Sequence, residues 1–484
     1  MKISVPEEVG AVAKALAAAG FEAYLVGGCV RDMLLDREPK DWDVATDARP
    51  EEIQHIFPDT VYENAFGTVG VKTASEDSRY KVIEVTTYRI EGKYTDQRHP
   101  DEVKFASNIK DDLSRRDFTV NAMAMDMKGE VIDPFSGRRD LRDRIIRTVG
   151  AAAERFSEDA LRLMRAVRFA VELDFEIEAN TRRAIETLAG GLEAIAKERV
   201  RDELSKILMT RDAAKGIILL EELDLLRYVL PELREGIGVG QNKHHIYTVF
   251  EHNVRALDYT AREDYPLPVR MAALLHDVGK PKVKRGDGPD STFYQHEYIG
   301  AKMAVRMLDR LRYPREFIEQ VAHLVRMHMF YYDTGVISPA GVRRFVARVG
   351  TENIDDLLKV READRIGSGV KKAVPYRLRH LLFMIEKVKH DPLSPKMLAL
   401  RGDDLMALLG IPPSPRVGWI LNALLEEVFD DPARNEREYL AKRAMELNKL
   451  GDDELKGLFA QAQAKKQEVE EEIEGAIKKR HRVQ

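Results

Sequence analysis

Cysteine is the scarcest residue of this 484-residue chain, which contains only Cys29. A single thiol excludes an intramolecular disulfide, and it also excludes a zinc site built mainly from cysteines. Both exclusions fit a protein that works in a reducing compartment, and we therefore predict a cytoplasmic location.

Long apolar runs are lacking as well. No stretch approaches the roughly 18 apolar residues that a membrane-spanning helix needs, so no membrane partner is expected. The N-terminal stretch carries the acidic pair Glu7-Glu8 and no long apolar segment, so no secretory signal is predicted. Hydrophobic residues still make up 44% of the chain, enough to bury a sizeable core. The length predicts about three domains.

An excess of positive charge is also absent, because the net charge is −5 and the isoelectric point is about 6.2. This balance would argue against a nucleic-acid partner only if the charge were evenly spread. Residues 138–168, however, hold nine Arg against five acids, and residues 359–390 hold nine Lys or Arg against three acids. Each basic island is either an RNA contact or a solvated helix face.

The spacing of apolar residues along the chain changes near residue 150. Before it, helical stretches alternate with β-like runs, which predicts an α+β head. These runs are residues 23–28, 41–46, 68–73, 80–89 and 121–127. Beyond Ser157, apolar residues recur at helical spacing and the chain is predicted to be helical. The charged end of the chain, from residue 460, is predicted to be a mobile or partner-contacting tail.

Gly27 and Gly28 join a hydrophobic strand to a helix in the run LVGGCVRD. Paired glycines let the backbone approach a ligand closely and expose amides to phosphate. By itself, such a feature is usually no more than a turn. The later glycines of a dinucleotide-binding fold and the Lys-Ser/Thr of a P-loop are both absent.

Asp41 and Asp43 follow this turn with one residue between them. On a strand, this spacing points both carboxylates the same way, and they repel unless a cation lies between them. Oxygen ligands select Mg²⁺ or Mn²⁺, and a two-metal phosphoryl-transfer centre needs such a pair. Glu84, one acid in a β-rich run, is either a third acid at this centre or a residue of the solvent face.

Motifs in a fixed order now point to a family. They are LVGGCVRDMLL with KDWDVAT, RRDFTVNAMAMD, DPFSGRRDL, EDALRLMRAVRFA and AKERVRDEL. Together they resemble the class II template-independent nucleotidyltransferases of the DNA polymerase β superfamily. That group comprises tRNA CCA-adding enzymes, CC-adding and A-adding specialists and bacterial poly(A) polymerases. One departure is Asp36, where the family usually has a glycine, and it affects a turn.

The resemblance implies the roles of individual residues. Asp41 and Asp43 would hold Mg²⁺. Glu84, the third catalytic candidate, is predicted from its β-rich run to join the pair at the metals. A polar stretch at 91–102 matches the family's mobile loop near the growing RNA end. Nucleotide contacts are implied for Gly27, Gly28, Arg31, Arg116, Asp117, Asn121, Glu158, Asp159, Arg162 and Arg165.

Asp159 and Arg162 are predicted to share one face of a helix that begins after Ser157, a good N-cap residue. A carboxylate accepts from the exocyclic amine of cytosine or adenine and repels the carbonyl of uracil or guanine. The pair is therefore either a selector of CTP and ATP or an ordinary salt bridge. The resemblance implies the selector, with Glu158 bracing it. Arg199 is interpreted first as a structural salt-bridge residue.

Seven of the twelve histidines lie between residues 244 and 328. The order His252, His276-Asp277 and Asp364 resembles the HD phosphohydrolase domain, in which such residues chelate divalent metals. His296 and His328 could complete a binuclear site. Imidazoles suit transition metals better than Mg²⁺, and a bound metal would lower the pKa of an attacking water. The alternative is an HD fold that keeps its ligands but has no substrate.

These resemblances imply the architecture of the whole chain. A polymerase β-like head of mixed sheet and helices would be followed by an all-α neck, an HD domain and a helical tail. The bounds are 1–150 for the catalytic head, 151–235 for the neck that selects nucleotides and binds RNA, 236–370 for the HD domain and 371–484 for a tRNA-facing body and tail.

The predicted function is a tRNA nucleotidyltransferase that builds or repairs the 3′ CCA end from CTP and ATP. Alternatives with the same head are an A-adding or CC-adding specialist and a poly(A) polymerase, and the HD domain favours CCA addition. From another class, the alternative is an HD phosphohydrolase whose head only binds RNA. The intact acids Asp41, Asp43 and Asp159 argue against it. The sequence leaves the oligomeric state open.

Overall fold

The computed structural model describes residues 5–62, 67–91, 103–242, 246–330, 332, 337–370, 373–388 and 394–460. The predicted mobile loop, apart from Glu91, and nearly all of the charged tail lie outside the described residues. The chain divides into two compact units. The first comprises residues 1–235 and 307–314, and the second comprises residues 236–306 and 315–484.

The first unit starts with an α+β head, as predicted. Its helices are α1 (Glu7–Ala18), α2 (Gly28–Leu34), α3 (Pro50–Ile56), α4 (Ile109–Ser114) and α5 (Gly137–Asp143). Its strands are β1 (Tyr24–Val26), β2 (Asp43–Thr46), β3 (Thr60–Tyr62), β4 (Thr68–Lys72), β5 (Val82–Thr87), β6 (Arg89–Glu91), β7 (Val103–Phe105), β8 (Ala124–Met125) and β9 (Val131–Ile132). Each of the five predicted β-like runs contains one of these strands.

The described head strands form a seven-stranded sheet in the order β3-β4-β5-β2-β1-β8-β9. Strands β2 and β5 are parallel, whereas the other neighbours in this sheet are antiparallel. Apolar side chains on β1, β2 and β8 pack against Tyr88 and helix α4. The sheet therefore fixes the ends of β1 and β2, which carry the predicted glycine turn and aspartate pair.

Helices dominate the rest of the first unit. They are α6 (Ala152–Glu158), α7 (Leu161–Leu173), α8 (Ala179–Leu188), α9 (Lys197–Leu208), α10 (Ala213–Glu222), α11 (Leu226–Val229) and α12 (Pro231–Arg234). Two short strands, β10 (Ile145–Ile146) and β11 (Glu176–Ile177), pair in parallel. The long α7 buries apolar residues along most of its length, as the helical spacing predicted.

Ser157 does not begin a helix, and this prediction is wrong. The residue lies inside α6, where its hydroxyl donates to the Ala153 carbonyl (2.8 Å). The helical run instead breaks at Asp159, whose extended backbone (φ −146°, ψ 103°) separates α6 from α7. Asp159 and Arg162 are therefore not two residues of one helix face.

Helices also build the second unit. They are α13 (Val249–Arg262), α14 (Leu267–Leu275), α15 (Lys280–Val283), α16 (His296–Arg310), α17 (Arg315–Met327), α18 (Pro339–Val349), α19 (Ile354–Gly367), α20 (Tyr376–Val388), α21 (Gly402–Leu409), α22 (Pro415–Asp430) and α23 (Arg437–Leu447). A capping box between Thr248 and Glu251 starts α13. Helices α21–α23 share an apolar core of their own. Within the described residues, no helix is long and apolar enough to cross a membrane.

Candidate functional site

The sheet register brings the predicted glycine turn and acids together. Val26, the last residue of β1, lies opposite Asp43 on β2, and Asp43 lies opposite Glu84 on β5. Three neighbouring strands thus place Val26, Asp43 and Glu84 in one row, and Gly27 follows Val26 directly in the chain. The Glu84 side chain is exposed. The register places Glu84 beside Asp43 in the sheet, and its catalytic role stays a prediction.

The backbone conformation and the neighbouring side chains both require glycine at position 27. Its φ of +76° is a conformation that side-chain-bearing residues rarely adopt. A Cβ atom at this position would also lie 2.8 Å from Nη1 of Arg116 and 3.7 Å from Oδ2 of Asp43. The glycine therefore lets a guanidinium and a carboxylate converge on the backbone at the start of α2.

Asp41 and Asp43 both line one cavity, with the buried Trp42 between them. Asp41 lies just before β2 rather than on it. Burial raises the pKa of Asp43, Arg116 opposes this effect, and the nearby Asp41 carboxylate raises the pKa further. A half-buried carboxylate near a second, exposed one is a donor set that a hard divalent cation would neutralise. The residues present therefore fit Mg²⁺.

The cavity has a volume of about 660 Å³. Its lining holds ten Lys or Arg side chains against six acids, a balance suited to a triphosphate. The predicted residues that line it are Gly27, Gly28, Arg31, Asp41, Asp43, Arg116, Asp117, Asn121, Asp159, Arg162 and Arg165. Glu84 and Glu158 are not among the lining residues.

A hydrogen-bond chain holds one part of this lining in place. Arg31 Nη1 donates to Oδ1 of Asn121 (2.9 Å), and Asn121 Nδ2 donates to Oδ1 of Asp117 (3.3 Å). Arg165 closes the chain through Nη2, 2.6 Å from Asp117 Oδ2. Burial would raise the pKa of Asp117, but the Arg165 guanidinium outweighs it and the pKa falls to about 2. Asp117 is thus ionised, and it links Arg165 directly, and Arg31 through Asn121, into one chain.

The adjacent cations Arg115 and Arg116 share one buried partner, Asp112. Its oxygens lie 2.7 Å from Nη2 of Arg115 and 3.3 Å from Nη2 of Arg116. Burial tends to raise the pKa of Asp112, but the two guanidinium groups lower it overall. The pair is therefore pre-oriented toward the cavity, as a phosphate clamp requires.

Asp159 is paired with Arg199 and not with Arg162. Arg199 of α9 donates to both Asp159 oxygens (2.7 and 3.2 Å), and the Leu161 amide donates to Oδ1 (3.0 Å). Arg162 instead pairs with Glu158 and donates to the Arg155 carbonyl (3.0 Å). A carboxylate has about four acceptor positions, so Asp159 keeps about one for a further donor.

Sequence reasoning gave several lining residues no role at this site. Arg162, Arg165 and Arg168 recur every three residues along α7, a spacing that could have revealed Arg168. Lys40 is next to Asp41 in the sequence. Arg199 and Lys206 come from α9, and only folding brings that helix to the cavity.

The second unit gathers the predicted HD residues around Asp277. Oδ2 of Asp277 lies 3.2 Å from Nε2 of His252 and 3.3 Å from Nε2 of His276. Oδ1 lies 3.2 Å from Nε2 of His296 and 3.6 Å from Nε2 of His328. One carboxylate therefore faces two imidazole pairs, and Asp277 with either pair would be able to hold a metal ion.

The ring orientation of three histidines favours metal binding. Nδ1 of His276, His296 and His328 lies 2.7–2.8 Å from the carbonyl oxygen three residues earlier. Each Nδ1 must carry the proton to donate to a carbonyl, which leaves Nε2 as the free lone pair. These Nε2 atoms all point to Asp277, and the residues present fit a transition metal.

Charged side chains surround the HD cluster, which consists of Asp277 and the four histidines around it, His252, His276, His296 and His328. Asp364 Oδ1 lies 3.3 Å from His252 Nε2, and Lys280 Nζ lies 2.5 Å from Asp277 Oδ2. Burial lowers the pKa of His252, but the close carboxylates of Asp277 and Asp364 outweigh it and raise that pKa to about 9. Burial lowers the pKa of His328 to about 4. His323 is outside the cluster, with Nε2 against the Val349 carbonyl (2.7 Å).

Known proteins match these features in order. Residues 23–147 match the poly A polymerase head domain, residues 174–237 the probable RNA and SrmB-binding site of polymerase A, and residues 245–368 the HD domain. The A-adding tRNA nucleotidyltransferase of Deinococcus radiodurans is 38% identical over 84% of this chain and 91% of its own length. The chain belongs to the tRNA nucleotidyltransferase family.

Other family members match over nearly their whole length. The CCA-adding enzyme of Enterococcus faecalis is 33% identical over 92% of this chain and 97% of its own. The crystal structure of the Bacillus stearothermophilus CCA-adding enzyme in complex with CTP superposes with a TM-score of 0.70. It is 30% identical and covers 92% of this chain and 98% of that one. These matches confirm the family resemblance and the fold class.

Proposed function

We propose that this nucleotidyltransferase builds or repairs the 3′ CCA end of tRNA from CTP and ATP, releasing pyrophosphate in the cytoplasm. The observation that carries this proposal is the cationic cavity that Asp41, Asp43 and Asp159 all line. When bound at the two aspartates, Mg²⁺ would supply electrostatic stabilisation for phosphoryl transfer. Arg116 and Arg165, held by buried acids, would orient the phosphates.

The second candidate is addition of the terminal A alone. It is favoured by the match to the Deinococcus radiodurans enzyme, which is named as A-adding and is 38% identical. Both candidates use the same cavity chemistry and differ in the tRNA end that is accepted.

Three tRNA transcripts separate these candidates, ending before CCA, after C and after CC. Each is incubated with each NTP and with CTP plus ATP. A CCA-adding enzyme completes all three, an A-adding enzyme extends only the transcript ending in CC, and a CC-adding enzyme stops after two cytidines. A poly(A) polymerase adds long adenosine tails. No extension of any transcript would contradict the proposal.

Base selection should depend on Asp159. Asp159→Ala removes an acceptor for the amine of C or A and removes the repulsion of U or G. The lost hydrogen bond is worth roughly 1–3 kcal/mol. We expect the ratio of correct to incorrect incorporation to fall more than the rate does. Single-nucleotide incorporation with each NTP measures this ratio, and unchanged discrimination would contradict the role.

Arg199→Met tests how Asp159 is held. Losing a guanidinium that contacts both carboxylate oxygens should free the side chain to rotate, so discrimination should fall by about tenfold. Arg201→Met is the matched control, because Arg201 pairs with Asp202 and is not a lining residue of the cavity. Equal discrimination in the Arg199 and Arg201 variants would contradict positioning by Arg199.

We further propose that the HD cluster binds one or two divalent transition metals and hydrolyses a phosphoester. The Asp277 carboxylate between four imidazoles supports two metal positions. A metal held there would lower the pKa of an attacking water. Lys280, held beside Asp277 and Gln241, is a cation suited to a phosphoryl oxygen.

A further inference from the structure

Helix α20 exposes aromatic side chains in a row. Tyr376 and Phe383 are each 63% exposed, whereas Leu378, Leu381 and Met384 on the opposite face are buried. Large rings are costly to leave in water, because burying them would remove much apolar surface. The exposed face of α20 therefore has the character of a contact surface.

His380 joins the two rings into one stripe. Its ring centroid lies 6.1 Å from that of Tyr376 and 6.2 Å from that of Phe383. The Tyr332 hydroxyl lies 2.5 Å from Nδ1 of His380 and fixes the middle ring. Residues at i, i+4 and i+7 share a helix face, so the stripe runs along one side of α20.

Positive charge accompanies the stripe. Lys387 continues it at i+11, Arg379 lies beside it, and both side chains are exposed. The described residues 373–388 contain three Lys or Arg against one acid, in a chain of net charge −5. Exposed rings interleaved with cations are the pattern that binds RNA with unpaired bases, because bases stack on rings and phosphates pair with cations.

We propose that the α20 stripe, made of Tyr376, His380 and Phe383 with Arg379 and Lys387, binds unpaired bases of an RNA substrate. This inference rests on the proposed function, because it takes the RNA partner from tRNA modification. A duplex hides its base faces, so loops or single-stranded ends of RNA are the ligand that the rings select. A second copy of the chain would need no positive charge beside the rings.

Binding to the full-length protein tests the stripe. The probes are a labelled single-stranded RNA of about 12 nucleotides and the corresponding duplex, followed by fluorescence anisotropy. Tyr376→Ala with Phe383→Ala should weaken single-strand binding about tenfold or more and duplex binding less than twofold. Tyr376→Phe with Phe383→Tyr keeps both rings and should bind like the wild type.

Two further variants separate charge, ring and surface effects. Arg379→Gln with Lys387→Gln should lower the slope of log affinity against log salt by about 0.7 per cation, and the ring variants should leave that slope unchanged. Met445→Ala, which trims another exposed apolar side chain, is the matched control for apolar area. RNA carrying 5-iodouridine should crosslink to the peptide that contains residues 376–383.

The outcomes also distinguish this proposal from the proposed function. Unchanged single-strand affinity in the double alanine variant, or no crosslink to α20, would overturn the stripe. A dimer that the same variant dissociates, with RNA affinity unchanged, would assign the face to a second copy. A wild type that adds no nucleotide to any tRNA would contradict the proposed function but not RNA binding by α20.

Discussion

Asp43→Ala should reduce nucleotide addition by about 10³-fold or more, with tRNA affinity within a few-fold of the wild type. The reason is that one of the two carboxylates that would hold the metals is lost. A rate that is about 10³-fold lower corresponds to about 4 kcal/mol of lost transition-state stabilisation. RNA affinity depends mainly on phosphate contacts, which this change leaves in place. Asp41→Ala should behave in the same way. Single-turnover addition of CMP and AMP measures the rate, and filter binding measures tRNA affinity.

The thermal stability of Asp43→Ala separates catalysis from folding. Burial raises the pKa of Asp43, which means that its charged form is costly in the folded protein. The melting temperature should therefore be unchanged or higher in the variant. Asp59→Ala, which removes an exposed carboxylate paired with Lys72, is the control and should keep full activity. More than a tenth of the wild-type rate in Asp43→Ala would refute the metal-ligand role.

Asp277→Ala should abolish transition-metal binding in the HD cluster, because this carboxylate faces both imidazole pairs. His328→Ala should remove one metal position and leave the other, since His252, His276 and Asp364 remain together. Metal content after loading with Mn²⁺, Ni²⁺ or Co²⁺ measures the difference. Hydrolysis of 2′,3′-cyclic phosphate and phosphomonoester substrates should disappear with the metal in Asp277→Ala.

His323→Ala is the matched control for the HD variants, because this histidine lies outside the cluster and should leave metal content unchanged. Nucleotide addition by Asp277→Ala should remain within a few-fold of wild type, because the head has its own acids. A wild type that retains no transition metal and hydrolyses none of these substrates would refute the second activity. Equal metal loss in His328→Ala and Asp277→Ala would refute two separate positions.

Local spacing predicted the head well. A spacing of two residues pointed to the Asp41 and Asp43 pair, although only Asp43 lies on β2, and paired glycines pointed to the turn before α2. Asp36 replaces a usual glycine and still adopts φ +55°, because aspartate tolerates the left-handed conformation better than most residues. These features depend on a few neighbouring residues, so the sequence contains nearly all the information that they need.

The helix break at Asp159 escaped the same reasoning. Serine at 157 is a good N-cap in isolation, yet α6 continues through it and ends at Glu158. Two contacts hold the break: the neighbouring Leu161 amide donates to Asp159, and Arg199, which lies 40 residues away, donates to both Asp159 oxygens. Helix propensity differences are below about 1 kcal/mol per residue, and a charged pair in a partly buried site can override them.

The sequence by itself determined the family, the α+β head, the helical remainder and most residues of the cavity. Those depend on periodicity and on motifs whose members lie close together along the chain. Only the tertiary structure decided that Arg199 holds Asp159 and that Asp277 faces four imidazoles from separate helical segments. Such pairings are set by how helices pack, and packing depends on long-range contacts that no local pattern encodes.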